Sequence, residues 1–391
     1  MPFKIGMIMS KKIFAHDKIL IVPNSELAEY EGELKIVSSD RAFYKEFKEY
    51  DIEVIICAIV NKKNKNYGWD INTESNISHI KQNLVFSNES RFKKTINYLY
   101  MIFKSFKVVK NYSFFYLFIP GNVSLIYALV LIILNKKFGL YIRGDFSRDR
   151  FHFIYKFIIK KSSFAIVTGN HIKGQIKSLN QHVKLVVPMI NTSCKDLQEE
   201  RFIPLNKPFK YLFVGRPSKD KGIDELIEAI HFLKLDGLKF ELEIVGDNDK
   251  KGNDSLRATI KKYRLENHIN FSGFTNNTKK MRDILRNSDA FILPSHHEGF
   301  PRVVYEAMTF GIPMVLTNLP SYMETLNHNI HCEIVEIKNS RSLYEGMKII
   351  ATDAKKYNSY SKNTLKFMKK KYQVFEDEKN HTIQVLQEMN K

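Results

Sequence analysis

Unbroken apolar runs recur along the chain, and between most of them apolar positions return every three or four residues. Such runs mark strands buried on both faces, and the three-to-four period marks amphipathic helices. In the first half KILIVP (18–23), IEVIICAIV (52–60), FFYLFIP, FGLYIRGD (138–145), FAIVTGN (164–170) and VKLVVP (183–188) predict strands. Helical spacing covers 32–50, 92–112 and 123–134. Within 92–112 it gathers Ile96, Leu99, Tyr100 and Phe103 on one face, with lysines around the rest.

The second half repeats the alternation. Strands are predicted at FKYLFVGR (209–216), FELEIVGD (240–247), INFSGF (269–274), AFILPS (290–295) and PMVLTN. Helices are predicted near 223–235, 254–263, over NTKKMRDILRN, from about Pro301, and to the end of the chain. Apolar strands alternating with helices predict an α/β fold with parallel, doubly wound sheets. A chain of 391 residues exceeds one core, which predicts two Rossmann-like domains, 1–190 and 209–370. Residues 191–208, polar and carrying Pro204 and Pro208, are the expected linker, and 371–391 a terminal helix. Two such domains would leave a cleft, and open α/β sheets bind ligands at the carboxyl ends of their strands.

An apolar content of 44% with 13% aromatics excludes a disordered chain. The longest apolar run, VSLIYALVLIIL (123–134), is too short to span a bilayer, and MPFKIGMIMSKKIF is too short in apolar residues for a signal peptide. Cys57, Cys194 and Cys332 form no CxxC pattern and are expected to be reduced thiols of a cytoplasmic protein.

Charge changes the picture. Of the net +19, residues 1–190 carry +14, and within 91–190 the only acids are Asp145 and Asp149. A one-sided positive field draws anionic partners: phospholipid, nucleic acid or phosphorylated substrates. No nucleic-acid-binding motif accompanies it. The basic, aromatic segment 91–112 suits a membrane interface, while a core-packed helix with one solvated face is the competing reading.

The candidate chemistry lies at the strand ends of the second half. After 209–216, Gly215, Arg216, Lys221 and Gly222 form a basic, glycine-bearing turn into a helix, where an anion would sit; it is not a P-loop. Gly246 and the FSGF turn with Phe274 end two further strands; such glycines let a ligand approach the backbone, or simply form tight turns. In HHEGFPRVVYEAM, Pro301 suits an early helical position, and the amides around Gly299, Phe300, Pro301 and Val303 would face an anion. Glu298 and Glu306, eight positions apart, suit paired hydroxyls of a sugar and a ribose. Taken singly, Glu298 reads as a helix cap and Glu306 as a solvated helix carboxylate. His296 and His297 invite a metal, but adjacent loop histidines diverge, and no metal is expected.

These segments together, GRPSKDKGIDELIEAI, FSGF, SDAFILPSHHEGFPRVVYEAMTFGIPMVLTN and a later Glu324, resemble the donor domain of retaining glycosyltransferases of family four, with the GT-B fold. The likeness covers 209–326 well and is weaker in the first half. It implies that Arg216 and Lys221 bind the nucleotide-sugar diphosphate, Glu298 the donor sugar and Glu306 the ribose. It also implies a last helix that crosses back to the first domain, and a UDP- or GDP-sugar donor used without metal or other cofactor. On the acceptor side the family's Gly-Gly loop is reduced to Gly32. Its strand-end His is replaced by YIRGDFSRD, where Arg143, Gly144 and Asp145 are the nearest candidates, Asp145 as a catalytic one. After LTN the usual Gly-Gly reads LPSYMET. The expected acceptor is a lipid-linked glycan of bacterial surface polysaccharide, met at the inner face of the cell membrane. An inactive sugar-nucleotide-binding paralogue and a nucleotide-sugar epimerase of the same fold are the rival readings.

Overall fold

The computed structural model describes residues 18–23, 27–30, 33–37, 53–62, 69–70, 77–82, 91–143, 146–147, 149–185, 190, 192–204, 208–246, 254–275, 277–299, 301–323 and 325–377. They divide into two compact units at Val186/Val187, with Gly169–His171 grouped with the second.

In the first unit, β1 (Lys18–Val22), β2 (Leu27–Tyr30), β3 (Glu33–Val37), β4 (Glu53–Lys62), β5 (Trp69–Asp70), β6 (Ile77–Gln82), β7 (Phe114–Ile119), β8 (Gly139–Ile142), β9 (Phe164–Val167) and β10 (Val183–Leu185) form one sheet. Its parallel part runs β10-β9-β8-β7-β1-β4-β2, and β6 also pairs with β4. The helices are α1 (Arg91–Lys110), α2 (Asn122–Ile133), α3 (His152–Lys161) and α4 (Asn170–Ile176).

One expectation changes here. Residues 33–37 are not helical: Glu33–Val37 pairs antiparallel with β2, because the β-branched Ile36 and Val37 in so short a run fit a hairpin better than a helix. Residues 38–50 lie outside the described set. Helix α1 forms as expected. Met101, Ser105, Val108 and Val109 are buried, while Ile96, Leu99, Tyr100 and Phe103 are exposed. The run VSLIYALVLIIL is the buried α2, and among the described residues no helix is long and apolar enough to cross a membrane.

The second unit has β11 (Phe209–Val214), β12 (Phe240–Val245), β13 (Ile269–Gly273), β14 (Ala290–Leu293), β15 (Met314–Thr317) and β16 (Glu333–Val335). All its pairings are parallel, in the order β13-β12-β11-β14-β15-β16. Its helices are α5 (Ile223–Leu235), α6 (Asp254–Lys262), α7 (Thr278–Asn287), α8 (Arg302–Thr309), α9 (Pro320–Met323), α10 (Ser340–Thr352) and α11 (Ala354–Asp377). The strands bury both faces, so alternate side chains enter different clusters. Tyr211, Phe213 and Ile292 pack with Leu226, Ile230 and Met347. Leu212, Phe291 and Leu293 pack with Val304, Met308 and Tyr322. Helix α5 stops at a Schellman turn: Gly237 takes φ 74°, its N–H donates to Lys234 O, and Leu238 N–H donates to Leu233 O. The strand order reverses between β11 and β14. A doubly wound sheet opens a crevice outside the carboxyl ends of the two strands at that switch point.

Candidate functional site

Three strand ends meet at the crevice. After β11 the chain passes Gly215 and Arg216, makes a 3₁₀ turn at Lys219–Lys221, and enters α5 through Gly222. Gly222 takes φ 71°, and a Cβ there would lie 2.0 Å from Pro294 O, in the turn after β14. Only glycine lets these turns touch. Gly246, after β12, is held as closely: a Cβ would lie 1.9 Å from Gly215 O. Backbone packing onto the β11 turn thus requires that it lack a side chain.

This packing brings Lys221 and Glu298 together across 77 residues. Lys221 Nζ donates to Glu298 Oε1 at 2.7 Å, and Ser295 Oγ donates to the same oxygen at 2.7 Å. The Glu298 side chain is 11% exposed and that of Lys221 27%. A second cross-connection holds the loop. His296 N–H donates to Asp220 O at 2.9 Å, and His296 Nε2 lies 3.0 Å from Glu225 Oε1. From below, Thr317 Oγ1 donates to Ser295 O at 2.6 Å and meets Tyr322 OH at 3.1 Å. Burial, and secondarily the Glu298 charge, push the Tyr322 hydroxyl well above its ordinary range. The Asp220 carboxyl is held low, first by the Ser218 hydroxyl, with Lys221 and His297 adding positive charge.

Arg216 is exposed at the end of β11, and its guanidinium makes no hydrogen bond or ion pair among the described residues. Phe274, half exposed, follows β13. Gly299 precedes α8, and Val303 lies in its first turn. Pro301 is the N-cap of α8, not its first helical residue, and provides no side-chain cap bond. The simpler readings of the two glutamates therefore fail. Glu298 does not cap the helix; it faces Lys221 and Ser295. Glu306 is not solvated; it lies on the buried side of α8 at 7% exposure. Burial, then Asp196 and Glu306, raise the Tyr372 hydroxyl pKa, against hydrogen bonds to Thr192 and Thr309 that lower it.

In the first unit, the Arg143 guanidinium stacks 4.5 Å from the Phe118 ring and 5.2 Å from Tyr141. Gly32, Gly144, Asp145, Phe300, Glu324 and residues 378–391 lie outside the described residues. Among those described, no group of three His, Cys, Asp or Glu is placed to hold a metal ion, and His296 meets Glu225. Ser295, Glu225 and Thr317 were not singled out by sequence. The acidic first turn of α5, Asp224 and Glu225, was visible, but its 71-residue reach to His296 was not.

Residues 196–367 match the family described as glycosyl transferases group 1. The amylovoran biosynthesis glycosyltransferase AmsK of Erwinia amylovora is 28% identical over 186 residues, 44% of this chain and 45% of its own length. The putative teichuronic acid biosynthesis glycosyltransferase TuaC of Bacillus subtilis is 26% identical over 202 residues, 49% of this chain and 48% of its own. Each match thus spans less than half of the relative. The crystal structure of Anabaena HepE in complex with UDP and glucose superposes with a TM-score of 0.69 at 16% identity, covering 94% of this chain and 100% of that one. At that identity the likeness is one of fold, the GT-B pairing of two doubly wound units. The stretch matched to glycosyl transferases group 1, residues 196–367, holds Lys221, Ser295, Glu298 and Glu306.

Proposed function

We propose that the protein transfers a glycosyl group, with retention of configuration, from a nucleoside diphosphate sugar to a glycan acceptor. The observation that carries this is the Lys221–Glu298 contact at the switch point, beside an uncommitted Arg216. The site offers what the reaction needs. Cleavage of the bond from the anomeric carbon to the phosphate oxygen leaves new negative charge on the diphosphate. Arg216, Lys221 and the first-turn amides of α8 meet that charge. Interactions that strengthen only as charge develops lower the barrier. The acceptor hydroxyl oxygen bonds to the anomeric carbon on the face the phosphate leaves, and its proton passes to the departing phosphate oxygen. Two side-chain cations supply the positive charge, so no divalent metal is assigned a role.

When a diphosphate takes Lys221, Glu298 is released to accept hydroxyl donors from the sugar, and Glu306 is assigned to the ribose. Arg143 and Asp145 are assigned to the acceptor side. The acceptor is assigned as a lipid-linked glycan of bacterial surface polysaccharide. The relatives' names, amylovoran and teichuronic acid biosynthesis, support that class, and the UDP and glucose bound by HepE support the donor class. The test is incubation with UDP-, GDP- and ADP-sugars and undecaprenyl diphosphate-linked saccharides. The expected result is release of nucleoside diphosphate together with a glycosidic product of unchanged anomeric configuration by NMR. An inverted product would overturn retention, and no product with any donor would overturn transfer.

A further inference from the structure

The first unit carries an exposed apolar face on α1. Phe92, Ile96, Leu99 and Phe103 follow one another along α1 at steps of four, three and four residues, so they form one stripe. Phe92 is 77% exposed, Leu99 60% and Phe103 74%. The opposite stripe, with Met101, Val108 and Val109, makes the core contact. The exposed stripe is therefore not needed to fix the helix on the sheet. Lys107 and Lys110, both exposed, continue its line at the next steps of four and three. Helix α1 packs on α2 and α2 on α3. On α3, Phe153 at 72% and Phe157 one turn on are exposed as well, flanked by the exposed Lys156 and Lys160. Clustered exposed aromatics of this kind mark an interaction surface.

Charge decides the occupant. Residues 91–190 hold no acid but Asp145 and Asp149, and Asp149 is engaged by Phe151 N–H at 2.8 Å. A second copy would bring its own lysines against these. An anionic lipid surface would complement them and bury the aromatics at headgroup depth. We propose that the outer faces of α1 and α3 dock the protein on anionic lipid, with Phe92, Leu99, Phe103 and Phe153 inserted and the lysines on the headgroups. The surface belongs to the first unit and Lys221 and Glu298 to the second, and docking is read without any donor.

The test is co-sedimentation of the full chain with vesicles of equimolar phosphatidylglycerol and phosphatidylcholine, and with phosphatidylcholine alone. The expected result is binding to the first, weakened by salt, and little to the second. Leu99→Glu with Phe103→Glu should reduce partitioning at least about tenfold. Lys107→Glu with Lys110→Glu should do the same, since each surface cation contributes about fivefold or more. Lys369→Glu with Lys370→Glu, exposed on α11, should change nothing. Both test pairs replace exposed side chains, and unchanged far-ultraviolet circular dichroism checks their fold. Wild-type binding by either test pair, or no binding by the wild type, overturns the proposal. So does a wild-type dimer that the Leu99→Glu/Phe103→Glu chain loses.

Discussion

Lys221 Nζ lies 2.7 Å from Glu298 Oε1, joining the turn after β11 to the turn after β14. A partly exposed ion pair of this kind contributes no more than about 1 kcal/mol to stability. Its value on the proposed function is catalytic. Glu298→Gln keeps the shape and the Ser295 contact but removes the charge. It should lower kcat/KM for glycosyl transfer at least about 100-fold, with a thermal midpoint close to wild type. A parallel fall of midpoint and rate would make the pair structural.

Gly222→Ala tests the packing that creates the site. The substitution meets a left-handed φ of 71° and a Cβ position 2.0 Å from Pro294 O. Strain and forced backbone movement together should cost about 2–4 kcal/mol, read by urea denaturation. Activity should fall even where the protein remains folded, because the turn carrying Lys221 shifts away from Glu298. Wild-type stability in Gly222→Ala would refute the close contact.

Arg201 ties residues 192–204 to the rest of the second unit. Its guanidinium donates to Phe310 O at 2.7 Å, Ser288 O at 2.5 Å, and Leu285 O and Arg286 O at 3.1 Å. Burial lowers its pKa, but charge-assisted bonds to four carbonyls hold it in place. Arg201→Leu strands those acceptors and should destabilise the chain by about 3–5 kcal/mol. Arg201→Lys, a point charge without the fork, should recover only part of that.

The cysteines differ in accessibility. Cys194 is exposed, whereas Cys57 and Cys332 are buried, and Cys57 Sγ lies 2.9 Å from Tyr127 OH. Burial pushes the Cys332 thiol up to about 12. The thiolate is the reactive form, so Cys332 stays protonated and inert well above neutral pH. Iodoacetamide at pH 8 should modify Cys194 in the folded protein and leave the other two until denaturant is added. Early modification of Cys332, read by peptide mass spectrometry, would contradict its burial.

Much of this was legible in the residues, and what was not has physical reasons. Parallel strands covered on both faces appear as continuous apolar runs closed by turn residues such as glycine or proline, so FKYLFVGR and AFILPS located β11 and β14 and the turns beyond them. The short strands β2, β3, β5 and β6 were not separated out, since edge-like segments such as ISHIKQ mix polar and apolar residues. Periodicity found helix α1 but not its orientation. The stripe with Phe92, Leu99 and Phe103 and the stripe with Met101, Val108 and Val109 are both apolar, and only the tertiary contacts distinguish them. Sequence also pointed to Lys221 and Glu298 separately. Their contact with each other, and that of Glu225 with His296, depend on where two distant turns meet. The close packing of Gly246 was hidden for the same reason: nothing local announces the Gly215 carbonyl against it.

The most direct measurement is calorimetric titration of UDP-, GDP- and ADP-sugars into the wild-type chain and into Lys221→Ala. The wild type should bind at least one of them, and Lys221→Ala should bind that donor at least about tenfold more weakly, since it lacks a cation placed on the diphosphate. Equal affinity in the two chains, or no binding of any nucleotide sugar by the wild type, would contradict the assignment of this switch-point crevice as the donor site.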